Sequence, residues 1–246
     1  GIIVGVADSG LDVAVECNGI SHCNTVNSLA SGIHPDFYGR IAYVESFHGS
    51  CSDDGPNDYN GHGTHVAGSV LGSGAMSEEG SNHAGMAPAA QLYMQSLQCG
   101  GENGGLYEPF DLENDLFQPA YDFGARVHTN SWGTGPDKPC TAPAGQNCDA
   151  YYSAQALMVD QSAYSMDDMV ILYAMGNDGE DRDSNGEVDM AYMNNQATAK
   201  NIISVGASEN FKPGLGSPYT YFPVTPIKTD NAQDNPEGMA AFSNRG

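Results

Sequence analysis

The sequence predicts an α/β fold, a doubly wound and mostly parallel sheet with helices on both faces. Three short apolar runs carry this expectation: residues 2–7, of the kind buried in the middle of a parallel sheet, residues 169–175, another buried strand, and residues 202–207, a further short strand. Segments with apolar residues at helical spacing lie between the strand runs, and alternation of the two patterns indicates a parallel sheet. The first two runs stop abruptly in polar, glycine-containing turns, Asp8-Ser9-Gly10 and Gly176-Asn177-Asp178-Gly179. Such strand ends are where open α/β sheets place functional groups.

Taken in order, the chain opens inside what reads as a strand, at Gly1. Residues 11–60 are loop-rich, with His34-Pro35-Asp36, a short strand over 41–47, and an acidic loop of Asp53, Asp54 and Asp58. Polar, glycine-rich Tyr59-Asn60-Gly61 then gives way to an apolar run, which predicts a buried helix over 62–71. His62 stands at its first turn and His65 inside it, against the core. The next strand covers 91–97. Leu112, Leu116, Phe117, Ala120, Tyr121 and Phe123 predict a helix over 112–125, and a strand-like stretch over 127–132 ends in Ser131-Trp132-Gly133. A second long helix over 150–166 precedes the strand at 169–175. Residues 210–237, rich in Pro, Tyr and Asp, form a long surface excursion. No internal repeat or low-complexity linker divides the chain, and 246 residues suit one domain with one sizeable core.

The 31 acidic and 8 basic residues give a net charge of −23, which argues against nucleic acid or anionic membranes as partners. Charged residues make up only 16%, so the acidity reflects scarce Lys and Arg, not a disordered charged tail. The apolar runs are far shorter than the ~20 residues of a membrane helix. Six cysteines, Cys17, Cys23, Cys51, Cys99, Cys140 and Cys148, fall in loop-like sequence without a Cys-x-x-Cys pair, which favours disulfides and an oxidising compartment over zinc or thiol redox chemistry. The expected pairs are two local loops, Cys17 with Cys23 and Cys140 with Cys148, leaving Cys51 with Cys99.

Asp8 at one strand end, His62 at a helix start and Asn177 at another strand end are three polar groups delivered to one edge of a parallel sheet. Amide hydrolysis uses this set: a carboxylate to fix the imidazole tautomer, an imidazole to move a proton, and an amide to donate to the oxyanion. The segments Val4 to Asp12, Gly61-His62-Gly63-Thr64-His65-Val66-Ala67-Gly68 and Ala174-Met175-Gly176-Asn177 resemble, in this order, the aspartate, histidine and oxyanion motifs of the subtilisin-like serine proteases, the subtilases. Residues 198–207 and Phe242-Ser243-Asn244-Arg245-Gly246 are also similar to that family.

The resemblance implies that Asp8, His62 and Asn177 are catalytic and that His65 is structural. It implies that Ser131, Trp132 and Gly133 lie along a polypeptide substrate, with Gly176 in the segment lining the primary specificity pocket. The family's nucleophile sits in a Gly-Thr-Ser-Met-Ala type motif, which occurs nowhere in these 246 residues, and Ser243 is in the wrong context to replace it. The expectation is therefore a partial peptidase domain, residues 1–246, of a secreted endopeptidase whose Ser lies outside this chain. The alternative is a catalytically dead calcium-binding or structural module of the same fold. A metallohydrolase built on Asp8, His62 and His65 lacks the Glu of His-Glu-x-x-His.

Residues 181–189, Asp-Arg-Asp-Ser-Asn-Gly-Glu-Val-Asp, alternate oxygen side chains and place glycine sixth, as an EF-hand-like calcium loop does. Structural Ca2+ is expected on the side chains of Asp181, Asp183, Asn185 and Asp189 and the Glu187 carbonyl. Asp36 is similar to another familial calcium ligand.

Overall fold

Strand β1 (Ile3–Asp8) is an interior strand of its sheet, flanked by a parallel strand on each side. The computed structural model describes residues 1–13, 22–23, 33–47, 55–101, 104–135, 152–190, 193–212 and 214–246. It divides into two compact units, Gly1–Ser131 with Gln161–Ile171, and Trp132–Asp160 with Leu172–Gly246.

In the first unit β2 (His22–Cys23), β3 (Ile41–Ser46), helix α1 (His62–Leu71), β4 (Gln91–Ser96), a two-stranded ribbon of β5 (Gln98–Cys99) and β6 (Gly105–Leu106), α2 (Gln118–Phe123) and β7 (Ala125–Asn130) follow in order. The sheet order is β2-β3-β4-β1-β7. All these pairings are parallel except β2 with β3. Val4 and Val6 of β1 join Leu92 and Met94 of β4 and Leu71 of α1 in one core. Five of the six residues of β1 are buried, as a strand enclosed on both faces requires.

Local chemistry moves several predicted boundaries. The helix expected over 112–125 is a π-helical turn, Leu112–Phe117, followed by α2. Pro119, in the first turn of α2, has no N–H to continue the ladder from the preceding segment. Gly124, at φ 111°, ends α2, so β7 starts at Ala125 and stops at Asn130, before Ser131-Trp132-Gly133. His65 is exposed, contrary to its expected place against the core. The buried positions of α1 are Gly63, Ala67 and Leu71, four residues apart, and the helical period turns His65 to the opposite side.

In the second unit β8 (Val170–Ala174), which follows helix α3 (Ala154–Ser165), pairs parallel with β9 (Ile203–Val205) through Leu172 to Ala174. The excursion over 210–237 builds a small core of its own: Tyr219, Phe222 and Ile227 are buried with Ala241. Cys99 is disulfide-bonded. The other five cysteine side chains, and so the three expected pairings, lie outside the described residues, as do Asp53 and Asp54. Among the described residues no helix is long and apolar enough to cross a membrane.

One buried pair explains a glycine in β1. A Cβ on Gly5 would sit 2.5 Å from Cδ2 of His128 in β7, so only glycine leaves room for the ring. His128 is fully buried, with Nε2 2.9 Å from Oε1 of Gln95. Gln95 Nε2 donates to Glu45 Oε1 and Leu116 O, which leaves its Oε1 to accept from the imidazole. Burial drives the His128 pKa down from 6.5 to about 3. A base whose folded pKa is depressed gives stability that is complete above 6.5 and is lost as pH falls toward the folded value. Unfolding free energy should therefore drop by about 1.4 kcal/mol per pH unit below 6.5 from this group alone. Denaturant titrations across this range should show a shallower slope in His128→Gln, whose side chain does not charge.

Candidate active site

Asp8 is the last residue of β1 and is fully buried. Its Oδ1 accepts from the Ser9 amide at 2.7 Å and from His62 Nδ1 at 2.7 Å. Because the carboxylate can only accept, the proton of the neutral imidazole resides on Nδ1 and Nε2 is left basic. The His62 side chain keeps about half its surface open, at 50%. A carboxylate thus fixes the tautomer from the buried side of a ring that remains approachable. Desolvation raises the Asp8 pKa, and the His62 and Ser9 hydrogen bonds pull it back only in part. Its second oxygen, Oδ2, is buried without a hydrogen-bond partner.

The glycines around His62 let two backbones meet. Gly61, at φ 85°, turns the chain into α1, and Gly63 packs on the backbone N and O of Gly10, where a Cβ has no room. Thr64 Oγ1 accepts from the Asp12 amide at 2.9 Å. Ser96 Oγ of β4 donates to the Ser9 carbonyl at 3.0 Å, and the Leu97 amide to the Asp8 carbonyl at 2.7 Å. The strand end is therefore clamped from α1 and from β4.

Trp132, Gly133, Gly176 and Asn177 belong to the second unit. Ser131, the residue after Asn130 of β7, is half-buried and belongs to the first. The Trp132 indole is buried, edge-on to Tyr173 with ring centroids 5.3 Å apart. Asn177 is exposed and follows Gly176, whose φ of 113° makes the turn out of β8. Asn244 holds this turn: Oδ1 accepts from the Asp178 amide at 2.6 Å, Nδ2 donates to the Met175 carbonyl at 3.0 Å, and its own amide donates to the Gly176 carbonyl at 3.1 Å. Asn194 joins the two predicted substrate segments. Its amide donates to the Met175 carbonyl at 2.8 Å, and a Cβ on Gly133 would strike its side chain.

In the loop over 181–189, the Asn185 amide points to Oδ1 of both Asp181 and Asp183, at 3.0 and 3.1 Å, and the Gly186 amide to Asp181 Oδ2 at 3.0 Å. Asn185 Oδ1 accepts from the Glu187 amide at 2.7 Å. Asp189 is engaged instead by the amide and guanidinium of Arg182. Asp181 and Asp183 are gathered at one amide, then, while Asp189 is taken up by Arg182, and among the described residues no three His, Cys, Asp or Glu side chains could together hold a metal ion. Asp36 Oδ1 accepts from the Met76 amide at 3.3 Å.

The family model described as "Subtilase family" matches residues 1–246. The chain belongs to the subtilase family. It is 31% identical over 214 residues to the Serine protease/ABC transporter B family protein tagD of Dictyostelium discoideum, covering 85% of this chain and 10% of that protein. It is 42% identical over 81 residues to the Major intracellular serine protease of Bacillus subtilis (strain 168), covering 30% of this chain and 23% of that protein. The chain thus spans about one tenth of the length of the Dictyostelium relative. Among solved structures it is similar to the Epidermin Leader Peptide Processing Serine Protease (EpiP) from Staphylococcus aureus, with 18% identity, a TM-score of 0.47, and coverage of 85% of this chain and 47% of that one.

The motifs of this subtilase did not point to Asn194 or Asn244. Asn244 carried a signal, since the Phe242-Ser243-Asn244 segment is itself similar to the family, whereas Asn194 sits in polar sequence with nothing to set it apart.

The raised Asp8 pKa yields a stability prediction. An acid whose folded pKa exceeds its unfolded value of 3.8 adds stability only where it is protonated, and loses it as pH rises through the folded pKa. Ionised Asp8 therefore weakens the fold near neutrality. Asp8→Asn should unfold at a higher temperature than the wild type at pH 7, with the difference closing as pH falls toward 3.8 in a series of thermal melts.

Proposed function

We propose that this chain is part of a secreted subtilisin-like serine endopeptidase that cleaves polypeptides with an Asp-His-Ser triad whose Ser lies outside these 246 residues. The observation that carries the reading is the 2.7 Å contact of His62 Nδ1 with the buried Asp8 carboxylate, on a ring left half open. In the reaction, His62 Nε2 takes the hydroxyl proton of the attacking Ser as its oxygen bonds to the scissile carbonyl carbon. Asp8 stabilises the imidazolium without itself taking the proton. The carbonyl electron pair moves to oxygen, where the Asn177 side-chain amide donates to the oxyanion. His62 then returns the proton to the leaving amine, which departs as the C–N bond breaks. Ser131, Trp132 and Gly133 offer their main chain to the extended substrate, and Gly176 stands in the segment that lines the pocket for its primary side chain.

A fluorophosphonate probe tests this in the full-length protein. Covalent labelling of one serine beyond residue 246, lost in Asp8→Ala and His62→Ala, is the expected result. A folded protein that resists the probe, or is labelled at a serine within this chain, would contradict it.

The oxidising location is supported by the disulfide at Cys99. Structural calcium is the second part of the proposal. Asp181, Asp183 and Asn185, with the Glu187 carbonyl, would bind it, and Asp189 would have to leave Arg182 to join. The support is a loop already curled around the Asp181 carboxylate, with Ser184 at φ 57° and Gly186 at φ 88°. A bound ion would neutralise like charges and brace the chain beyond Asn177. Free calcium at a hundredfold over Kd should add about 2.7 kcal/mol to stability. Thermal melts with calcium and with a chelator should therefore differ in the wild type and coincide in Asp183→Ala, and coinciding wild-type melts would remove the ion from the account.

A further inference from the structure

The Asp58 carboxylate, four residues before His62, accepts four hydrogen bonds. Its Oδ1 takes the amides of Asn60 at 3.1 Å and Gly61 at 2.8 Å and the Ser9 hydroxyl at 2.8 Å, and its Oδ2 takes the Thr64 amide at 2.8 Å. Three of these come from the chain entering α1 and its first turn, where N–H groups have no partner inside a helix. Gly61, at the N-cap, has no side chain to supply one.

The fourth bond is different in kind. The Ser9 hydroxyl that donates to Asp58 accepts in turn from the Gly63 amide at 2.8 Å, while the Ser9 amide donates to Asp8 Oδ1 at 2.7 Å. One serine, buried at 2% exposure, therefore touches the residue that follows His62, the carboxylate that holds His62, and Asp58. Its hydroxyl has one proton. By accepting the hydrogen bond of that hydroxyl, Asp58 turns the oxygen lone pairs of Ser9 toward Gly63; without Asp58 the hydroxyl is free to rotate, and the lone pair that faces the Gly63 amide is no longer fixed.

We propose that Asp58 is a positioning residue of the active site, fixing the end of β1 to the first turn of α1 through Ser9 so that Asp8 and His62 stay in register. It touches neither substrate nor the reacting atoms. The proposal rests on the reading of Asp8 and His62 as the catalytic pair, and it separates Asp58 from an ordinary helix cap: a cap would stabilise α1, whereas this carboxylate also fixes the donor geometry of a residue on another element. A displacement of the imidazole by a fraction of an ångström acts on the chemical step and not on substrate binding.

Steady-state kinetics of the full-length protein test this with Asp58→Ala, Asp58→Asn, Ser9→Ala and the Asp58→Ala/Ser9→Ala double variant. The expected result is a kcat lowered about 10- to 100-fold in Asp58→Ala and in Ser9→Ala, with KM within about twofold of wild type. Asp58→Asn, which keeps one accepting oxygen, should fall between. The double variant should be no slower than the worse single variant, because both substitutions break one linkage. Full kcat in a folded Asp58→Ala, or losses that multiply in the double variant, would overturn the proposal. If Asp58→Ala does not fold, Ser9→Ala and Asp58→Asn decide: Ser9→Ala leaves the bonds to Asn60, Gly61 and Thr64 in place, so wild-type kcat in both variants overturns the linkage. An inactive wild type would overturn it too, by removing the catalytic pair it serves, and that failure differs from an active wild type with an equally active Asp58→Ala.

Discussion

The hydrogen bond between His62 Nδ1 and the buried Asp8 Oδ1 is the interaction on which the rest depends. A carboxylate with no exposed surface is costly, and here desolvation outweighs the hydrogen bonds that favour its charge. The orphaned Oδ2 shows the same thing from the side of geometry. Such a group survives in a fold when it does something that a hydrophobic residue cannot. Holding an imidazole in one tautomer, with its far nitrogen basic, is such a task, and the sheet that surrounds β1 supplies the rigidity.

That rigidity comes from backbone contact more than from side chains. Gly63 meets Gly10, the Gly10 backbone passes close to Pro56, and Thr64 takes the Asp12 amide, so the strand end and the helix start are joined at several atoms over a few residues. A helix that opens with glycines gives up about 1 kcal/mol of propensity at each interior one, and recovers it by letting main chain approach main chain. In the second unit the same economy of side chains recurs. Asn244 and Asn194, both nearly buried, satisfy the carbonyls and amides of the turn that presents Asn177.

β1 was legible in the sequence because burial on both faces leaves an unbroken apolar run, and α1 because the change from glycine-rich polar sequence to Val66-Ala67 marks a helix start; β8 and β9 showed as apolar runs too, but they are only partly buried, with Val170, Ile203 and Val205 exposed. The fold class and the Asp8–His62 pair follow from these signals and from the family's motifs. His65 was misplaced because proximity to an apolar run says nothing of which side of the helix a residue faces; only the spacing of Gly63, Ala67 and Leu71 does. The break at Pro119 was visible but overridden by helical spacing on either side of it. Asp58 could not be told from Asp53 and Asp54, since an acidic residue in a loop reads as solvated until its four donors are seen. Asn194 depends on contacts with Gly133 and Gly176 some 61 and 18 residues away, which no local pattern encodes.

The most direct measurement of the central claim is the 15N NMR spectrum of the histidine rings, assigned through His62→Gln, at a pH where the ring is neutral. A buried Asp8 acceptor requires the His62 proton on Nδ1, with Nε2 giving the shift of an unprotonated nitrogen. A His62 ring protonated on Nε2, or averaging freely between the two nitrogens, would contradict the account.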